Sequence, residues 1–263
     1  TNELLCNLVT TSPELDAFDL QKFANFLKDI FGERLAGLLH TINDETGDRT
    51  IATSGSIDLV YGKDKIVEEL LGLDFEISMK SFFQTNPKCA EKLYNKVVEY
   101  VLEDKTKVDN TVVMDLFCGT GTIGQIVASK SENAKIVGVD IVASAIEDAE
   151  KNAKRNTITG VQFYAADVGK FLIAHPEYQN KIKTIILDPA RAGIAPKTLQ
   201  KIINLNADRM VYVSCNPATQ ARDTDLLKEA GYALKKISLV DQFPHTSHIE
   251  TVVLFEKNES SFN

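Results

Sequence analysis

No stretch of this chain is apolar for long enough to cross a bilayer as a helix. No basic segment followed by an apolar one opens it, so a secretory leader is not expected. Cysteine is sparse: Cys6, Cys89, Cys118 and Cys215 stand far apart, with no Cys-x-x-Cys pair among them. That spacing argues against a cysteine zinc site and against a disulfide framework, and it points to a reducing, cytoplasmic compartment. Positive charge is not in excess either. The formal net charge is -8, which excludes a globally basic nucleic-acid binder but leaves room for a local basic patch. There is no internal repeat and no low-complexity tract. What remains is ordinary globular composition, 44% hydrophobic and 25% charged over 263 residues, enough for one large domain or two smaller ones.

The two parts of the chain read differently. Residues 1–85 look like a small α+β domain. Glu3 to Thr10 reads as a strand, and a core-type strand so early suggests a piece of a longer protein. Phe18, Phe23, Phe26, Leu27 and Ile30 recur at helical spacing, and Gly32 follows as a stop. Strand-like runs at 37–43, 57–61 and 73–77 are separated by Gly, Asp and Asn clusters, which suggests antiparallel pairing. Asn86-Pro87 then opens a helix with apolar residues Ala90, Leu93, Val97, Val98 and Val101, and residues 86–263 form the second domain.

From Thr111 onward strands and helices alternate. Strands are expected at 111–117, 135–140, 161–167, 184–188 and 209–215, with helices between most of them. This is the pattern of a parallel sheet covered by helices. The final strands, 234–239 and 249–255, are joined by a loop alone and must pair antiparallel.

Gly119-Thr-Gly-Thr-Ile-Gly124 is a Gly-x-Gly-x-x-Gly turn between the first strand and its helix. Glycine permits a tight turn and close backbone approach to a ligand, but a dinucleotide-dependent oxidoreductase would use the same turn for a pyrophosphate. Asp115 inside the strand argues the other way. A carboxylate beneath the turn repels a diphosphate and suits a cation, such as the sulfonium and ammonium of S-adenosylmethionine. Asp140, Asp167 and Asp188 end three successive strands and add to this negative edge. For each of them taken alone, a helix cap is the plain structural alternative.

The run Val211-Tyr-Val-Ser-Cys-Asn-Pro217 delivers one thiol, Cys215, to the carboxyl edge of the sheet, where ligands bind in open α/β folds. A thiol there is either a nucleophile or small buried packing. Glu250 opens the last strand, and taken alone reads as a solvated strand end. His245 and His248 lack a third His or Cys nearby to complete a metal site with Glu250. Arg191 follows the fourth strand, as a phosphate contact or an ion-pair partner.

Five motifs in order resemble the RNA uracil-5-methyltransferases that make 5-methyluridine in ribosomal RNA and tRNA. They are Ser81-Phe-Phe-Gln-Thr-Asn86, Asp115-Leu-Phe-Cys-Gly-Thr-Gly121, Asp188-Pro-Ala-Arg-Ala-Gly193, Ser214-Cys-Asn-Pro217 and Phe243-Pro-His-Thr-Ser-His-Ile-Glu250. The resemblance implies a Rossmann-like class I methyltransferase domain, a mostly parallel seven-stranded sheet with a terminal antiparallel hairpin, preceded by a smaller α+β domain that docks RNA. It implies S-adenosylmethionine as cofactor and S-adenosylhomocysteine as product. By the same resemblance Gln84, Phe117, Gly119, Gly121, Thr122, Asp140, Asp167 and Asp188 match cofactor-pocket positions, Cys215 the nucleophile and Glu250 the base. No protein partner is indicated. Some relatives carry an N-terminal RNA-binding barrel or an iron–sulfur cluster; neither is evident here, since Cys6 alone cannot hold a cluster. The forms Asp188-Pro-Ala-Arg and Asn216-Pro-Ala-Thr lean toward ribosomal RNA over tRNA.

Overall fold

Twelve strands and seven α-helices are assigned in a computed structural model that describes residues 2–12, 18–44, 57–79 and 81–258. The chain divides into two compact units, Thr1–Glu69 with Asp74–Phe82, and Leu70–Leu73 with Phe83–Asn263.

The first unit holds a three-stranded sheet of β1 (Leu4–Thr10), β2 (Leu35–Ile42) and β3 (Ile57–Gly62) in the order β1-β2-β3. The sequence pattern left the direction of β1 open. β1 pairs parallel with β2, from Leu5 opposite Gly37 to Thr10 opposite Ile42, and β2–β3 alone is antiparallel in this sheet. The cause is the connection: helix α1 (Leu20–Phe31) lies between β1 and β2, and a helical crossover returns the chain in the same direction. Asp19 caps α1 by accepting from the Lys22 N–H at 2.8 Å, and Gly32 closes it at φ 56°. The Asp- and Gly-rich stretch between β2 and β3 falls largely outside the described residues. A hairpin of β4 (Lys65–Leu70) and β5 (Leu73–Ser78) follows, turned by Leu71 and Gly72, both at positive φ.

In the second unit α2 (Pro87–Leu102) starts at an Asn86 cap with Pro87 at its first position. It buries Ala90, Leu93, Tyr94, Val97, Tyr100 and Val101. Five parallel strands follow: β6 (Val112–Leu116), β7 (Lys135–Asp140), β8 (Val161–Ala165), β9 (Ile182–Leu187) and β10 (Arg209–Ser214). Between them run α3 (Thr122–Lys130), α4 (Ala143–Arg155), α5 (Val168–Ala174), α6 (Pro196–Ile203) and, after β10, α7 (Pro217–Glu229). The short helix α5 is an addition to the pattern read from the residues. The chain ends with β11 (Tyr232–Val240) and β12 (Glu250–Lys257).

The sheet order is β11-β12-β10-β9-β6-β7-β8, and β12 runs antiparallel to both its neighbours. Met114, Leu116, Ile185, Leu187, Tyr212 and Phe255 are among the side chains that fill its core. Central strands buried on both faces read as continuous apolar runs, which is why they are visible in the sequence. The topology then decides what meets at one edge. The carboxyl ends of β6, β7, β9 and β10 lie together, and because β12 is antiparallel, its first residue lies at that same edge. Among the described residues, no helix is long and apolar enough to cross a membrane.

Candidate active site

The turn after β6 is built from left-handed backbone. Phe117, Gly119 and Gly121 stand at φ 65°, 52° and 67°. A phenylalanine in that region is strained, and two hydrogen bonds hold it there: the N–H groups of Phe117 and Cys118 both donate to the Val139 carbonyl, at 2.9 and 3.2 Å. The three motif glycines do different work. A Cβ on Gly121 would fall 2.4 Å from the Phe163 ring, and one on Gly124 would fall 2.9 Å from Asp115 Oδ2. Both are packing constraints. Gly119 meets nothing within 4 Å of where a Cβ would sit, so its missing side chain leaves open space for a ligand.

Two carboxylates occupy the backbone donors of this turn. Asp140 Oδ2 accepts from the Gly119 N–H at 2.9 Å, and its Oδ1 from the Val142 N–H at 2.9 Å. Asp115 Oδ2 accepts from the Gly124 N–H at 2.9 Å, while Asp115 Oδ1 is buried without a partner. A pyrophosphate at this helix N-terminus would need those same N–H groups and would face both negative charges. The dinucleotide alternative therefore loses its anion site. Burial pushes the Asp115 carboxyl up to about 7, with the Gly124 N–H opposing and the Asp140 charge adding to the rise. A cationic ligand relieves that cost; an anion aggravates it. The orphan Oδ1, the room at Gly119 and the sign of the charge all fit S-adenosylmethionine.

Asp188 follows β9. Burial, with the charges of Glu250, Asp115 and Asp140, raises its carboxyl to about 8. Glu250 is 4% exposed, and burial raises its carboxyl as well. Cys215 is half-buried. Burial raises its thiol, the Glu250 and Asp188 charges add to this, and Arg191 pulls the other way. Asp115, Asp140, Asp188, Glu250, Cys215 and Arg191 thus form one electrostatic neighbourhood. Tyr94, buried on α2, belongs to it: its phenol is raised by burial and by Asp188, Glu250 and Asp115. Sequence reasoning missed Tyr94 because it reads as one more position on an apolar helix face.

Cys215 is placed by a rigid frame. Asn216 caps α7, and its Nδ2 donates to the Arg191 carbonyl at 3.1 Å. Asp223, 1% exposed, accepts from Tyr212 Oη at 2.7 Å, from the Ile194 N–H at 3.0 Å and from Arg222 at 2.7 Å. Arg222 also donates to the carbonyls of Ala192 and Ile194. The loop carrying Asp188 and Arg191 is therefore tied to the helix that follows the cysteine.

The remaining expected residues divide. Gln84 is buried, and its Oε1 accepts from Gln242 Nε2 at 3.3 Å. Gln242 carried no signal in the sequence. Thr122 is buried, with its hydroxyl 3.1 Å from that of Thr120 inside the turn. Asp167 caps α5, accepting from the Lys170 N–H at 2.9 Å, the ordinary structural use of a strand-end aspartate. His245 and His248 are exposed, and among the described residues no group of three or more His, Cys, Asp or Glu is placed to hold a metal. Cys118 packs against the backbone of β7: a Cβ on Gly138 would lie 3.1 Å from its Sγ.

Residues 107–252 match the family model described as a methyltransferase domain. The chain belongs to that family. The sheet order and the cation-favouring turn make it a class I methyltransferase domain dependent on S-adenosylmethionine. Among curated relatives, this domain is 43% identical over 261 residues to an "uncharacterized RNA methyltransferase" of Clostridium tetani, covering 99% of this chain and 54% of that protein. It is 45% identical over 259 residues to one of Clostridium acetobutylicum, with 98% and 54% covered. The chain thus spans about half the length of these curated relatives. Among solved structures, the Pyrococcus abyssi tRNA (uracil-54, C5)-methyltransferase in complex with S-adenosyl-L-homocysteine superposes with a TM-score of 0.72 at 29% identity, over 96% of this chain and 56% of that one.

Proposed function

We propose that this methyltransferase domain methylates carbon 5 of a uridine in RNA through a covalent bond between Cys215 and the base. The observation that carries the reading is the convergence of one thiol and one buried carboxylate, Cys215 and Glu250, at the carboxyl edge of the sheet beside a turn suited to a cationic cofactor. RNA as the substrate class is supported by the names of the relatives and by the 29% identical structural neighbour.

Carbon 5 of uracil is a weak nucleophile. In the proposed reaction the Cys215 thiolate bonds to carbon 6, and the carbon 5–carbon 6 π pair becomes an enolate with nucleophilic character at carbon 5. When bound, S-adenosylmethionine supplies a sulfonium methyl, an electrophile for that carbon. Glu250 then takes the proton from carbon 5, the double bond re-forms, and the Cys215 sulfur leaves as thiolate. Burial raises the Glu250 carboxyl, which makes its carboxylate a stronger base. Arg191 favours the thiolate of Cys215. Asp115 and Asp188 are the residues proposed to face the cofactor's cationic groups, Asp140 its ribose hydroxyls and Asp167 its adenine amino group, with Gly119 giving it room and Phe117, Gly121, Thr122 and Gln84 completing the pocket. The target base must leave its stack, and residues 1–85 are the proposed docking surface for the surrounding RNA.

The forms Asp188-Pro-Ala-Arg and Asn216-Pro-Ala-Thr favour ribosomal RNA; the named activity of the structural neighbour favours tRNA as the second reading. Mapping 5-methyluridine in both pools, with and without the gene, separates them. The mechanism is tested with RNA containing 5-fluorouridine and S-adenosylmethionine. Fluorine cannot leave as a proton does, so an RNA adduct is expected to accumulate on Cys215. An adduct that forms equally in Cys215→Ala overturns the reading.

A further inference from the structure

Gln242, between β11 and β12, is fully buried, and its amide nitrogen donates two hydrogen bonds. One goes to the Asn86 backbone carbonyl at 3.2 Å and the other to Gln84 Oε1 at 3.3 Å. Asn86 returns a bond, from its Nδ2 to the Gln242 backbone carbonyl at 3.2 Å, while its own Oδ1 caps α2 through the Cys89 N–H at 3.3 Å. The segment between β11 and Glu250 is thereby fastened to the start of α2.

The chemistry of these contacts fixes two side chains in sequence. A backbone carbonyl only accepts, so the Gln242 atom facing Asn86 must be nitrogen. A nitrogen that also faces Gln84 demands an oxygen from Gln84. One backbone carbonyl therefore sets the orientation of both amides, which would otherwise be interchangeable. Gln84 has its oxygen committed inward, and its NH2 group is left to donate. We infer that Gln242 is a positioning residue that holds the Gln84 amide as a hydrogen-bond donor toward the cofactor, for an acceptor of the carboxylate class such as the amino-acid end of S-adenosylmethionine. The inference rests on the reading that Gln84 lines the cofactor pocket. Gln242 Oε1 is itself buried without a partner. An apolar side chain of the same length would fill this volume without that unsatisfied oxygen; what it would lack is the pair of donors.

The test is S-adenosylhomocysteine binding by calorimetry, with melting temperatures in parallel. Gln84→Ala is expected to weaken binding by about tenfold or more, the loss of one hydrogen bond to a charged group. Gln242→Met, which keeps length and loses both donors, is expected to weaken binding several-fold. It should add nothing in the Gln84→Ala background, because it acts through Gln84. Wild-type affinity in Gln242→Met, or a loss that adds in the double variant, overturns the inference while the pocket reading stands. Wild-type affinity in Gln84→Ala overturns the pocket reading itself. Should Gln242→Met fail to fold, Gln84→Glu decides: it keeps the acceptor for Gln242 and removes the NH2 group. The expected result is binding weakened beyond what any loss in melting temperature explains, and wild-type binding there overturns the inference.

Discussion

Cys215 and Glu250 are the next residues outward from the same cross-strand pair, Ser214 opposite Thr251 on β10 and β12. That pair is locked: Thr251 Oγ1 lies 2.7 Å from Gln220 Oε1 and 3.1 Å from the Ser214 carbonyl, its one proton shared between the two acceptors, and Gln220 Nε2 donates to the Tyr212 carbonyl at 2.9 Å. The proposed nucleophile and base therefore leave the sheet side by side from a rigid ladder. Their separation is set by strand geometry and not by loop flexibility, which is what positioned catalysis requires.

The pair has separable duties. In the proposed reaction bond formation to carbon 6 belongs to Cys215, and proton removal from carbon 5 to Glu250. Glu250→Gln keeps the size and removes the base. The expected outcome is methyl transfer to RNA that stops at one equivalent per chain, with the methylated RNA still attached to protein. Turnover should fall by about 10²–10⁴-fold, the contribution of one positioned base. Denaturing gels with methyl-labelled cofactor read this directly. Free methylated RNA released at the wild-type rate would assign the base elsewhere.

Thiol reactivity should report the charges around Cys215. Burial, Glu250 and Asp188 raise its thiol above the ordinary range and so suppress the thiolate, and Arg191 opposes them. At neutral pH the alkylation of Cys215 by iodoacetamide is expected to be slow and to accelerate as pH rises, since the thiolate is the reactive form. Glu250→Gln should speed it at fixed pH, and Arg191→Ala should slow it. Added S-adenosylmethionine, which brings positive charge to the same edge, should speed it unless it covers the sulfur. Peptide mapping distinguishes Cys215 from Cys6, Cys89 and Cys118. Rates that ignore both substitutions would dissolve the proposed neighbourhood.

Stability should fall with pH across a defined window. Asp115 and Asp188 are raised to about 7 and about 8 in the fold. Between about pH 4, the ordinary carboxylate range, and those values, the folded chain holds protons that the unfolded chain has lost. Fewer protons in the unfolded state means that stability declines as pH rises, by at most about 1.4 kcal/mol per pH unit for each group, and levels off above about pH 8. Melting temperatures of the wild type from pH 5 to 9, beside Asp115→Asn with Asp188→Asn, test this: the slope should flatten in the double variant. A cationic cofactor favours the ionised carboxylates, so its affinity should increase from about pH 6 to 8 with release of protons. Calorimetry in buffers of different ionisation enthalpy counts them.

Much of this was legible in the residues. β6, β9 and β10 are almost wholly buried and carry short apolar, largely β-branched runs (Val112-Val-Met114, Ile185-Ile-Leu187, Met210-Val-Tyr-Val213), and the Asn86-Pro87 and Asn216-Pro217 helix starts announce themselves. β4 did not, because Lys65-Ile-Val-Glu-Glu-Leu70 mixes charge into a short strand. The parallel pairing of β1 and β2 did not either, since local pattern says nothing about the direction in which a chain returns. The site divides the same way. Asp140 and Cys215 sit where strand ends predict, but the finer roles depend on partners distant in sequence. Gln242 and Gln84 are 158 residues apart, and no spacing rule joins them. Asp167 shows the opposite case: its bond is local, to the Lys170 N–H of the helix it caps, and needs no distant partner.

Two glycines two residues apart should respond differently to the same change. Gly119 and Gly121 both lie at positive φ, so alanine at either strains the backbone by about 1–2 kcal/mol. At Gly121 the new methyl also meets the Phe163 ring, adding about 1–3 kcal/mol of overpacking. Gly121→Ala should therefore lower the melting temperature roughly twice as far as Gly119→Ala, where each kcal/mol is worth about 2–4 °C in a domain of this size. At Gly119 the methyl enters open space beside the backbone N–H held by Asp140, and the penalty should appear in ligand binding. Gly119→Ala is expected to weaken S-adenosylhomocysteine binding more than its small stability loss explains. If both variants lose binding only in proportion to their melting temperatures, Gly119 is a turn residue and the cofactor does not approach it.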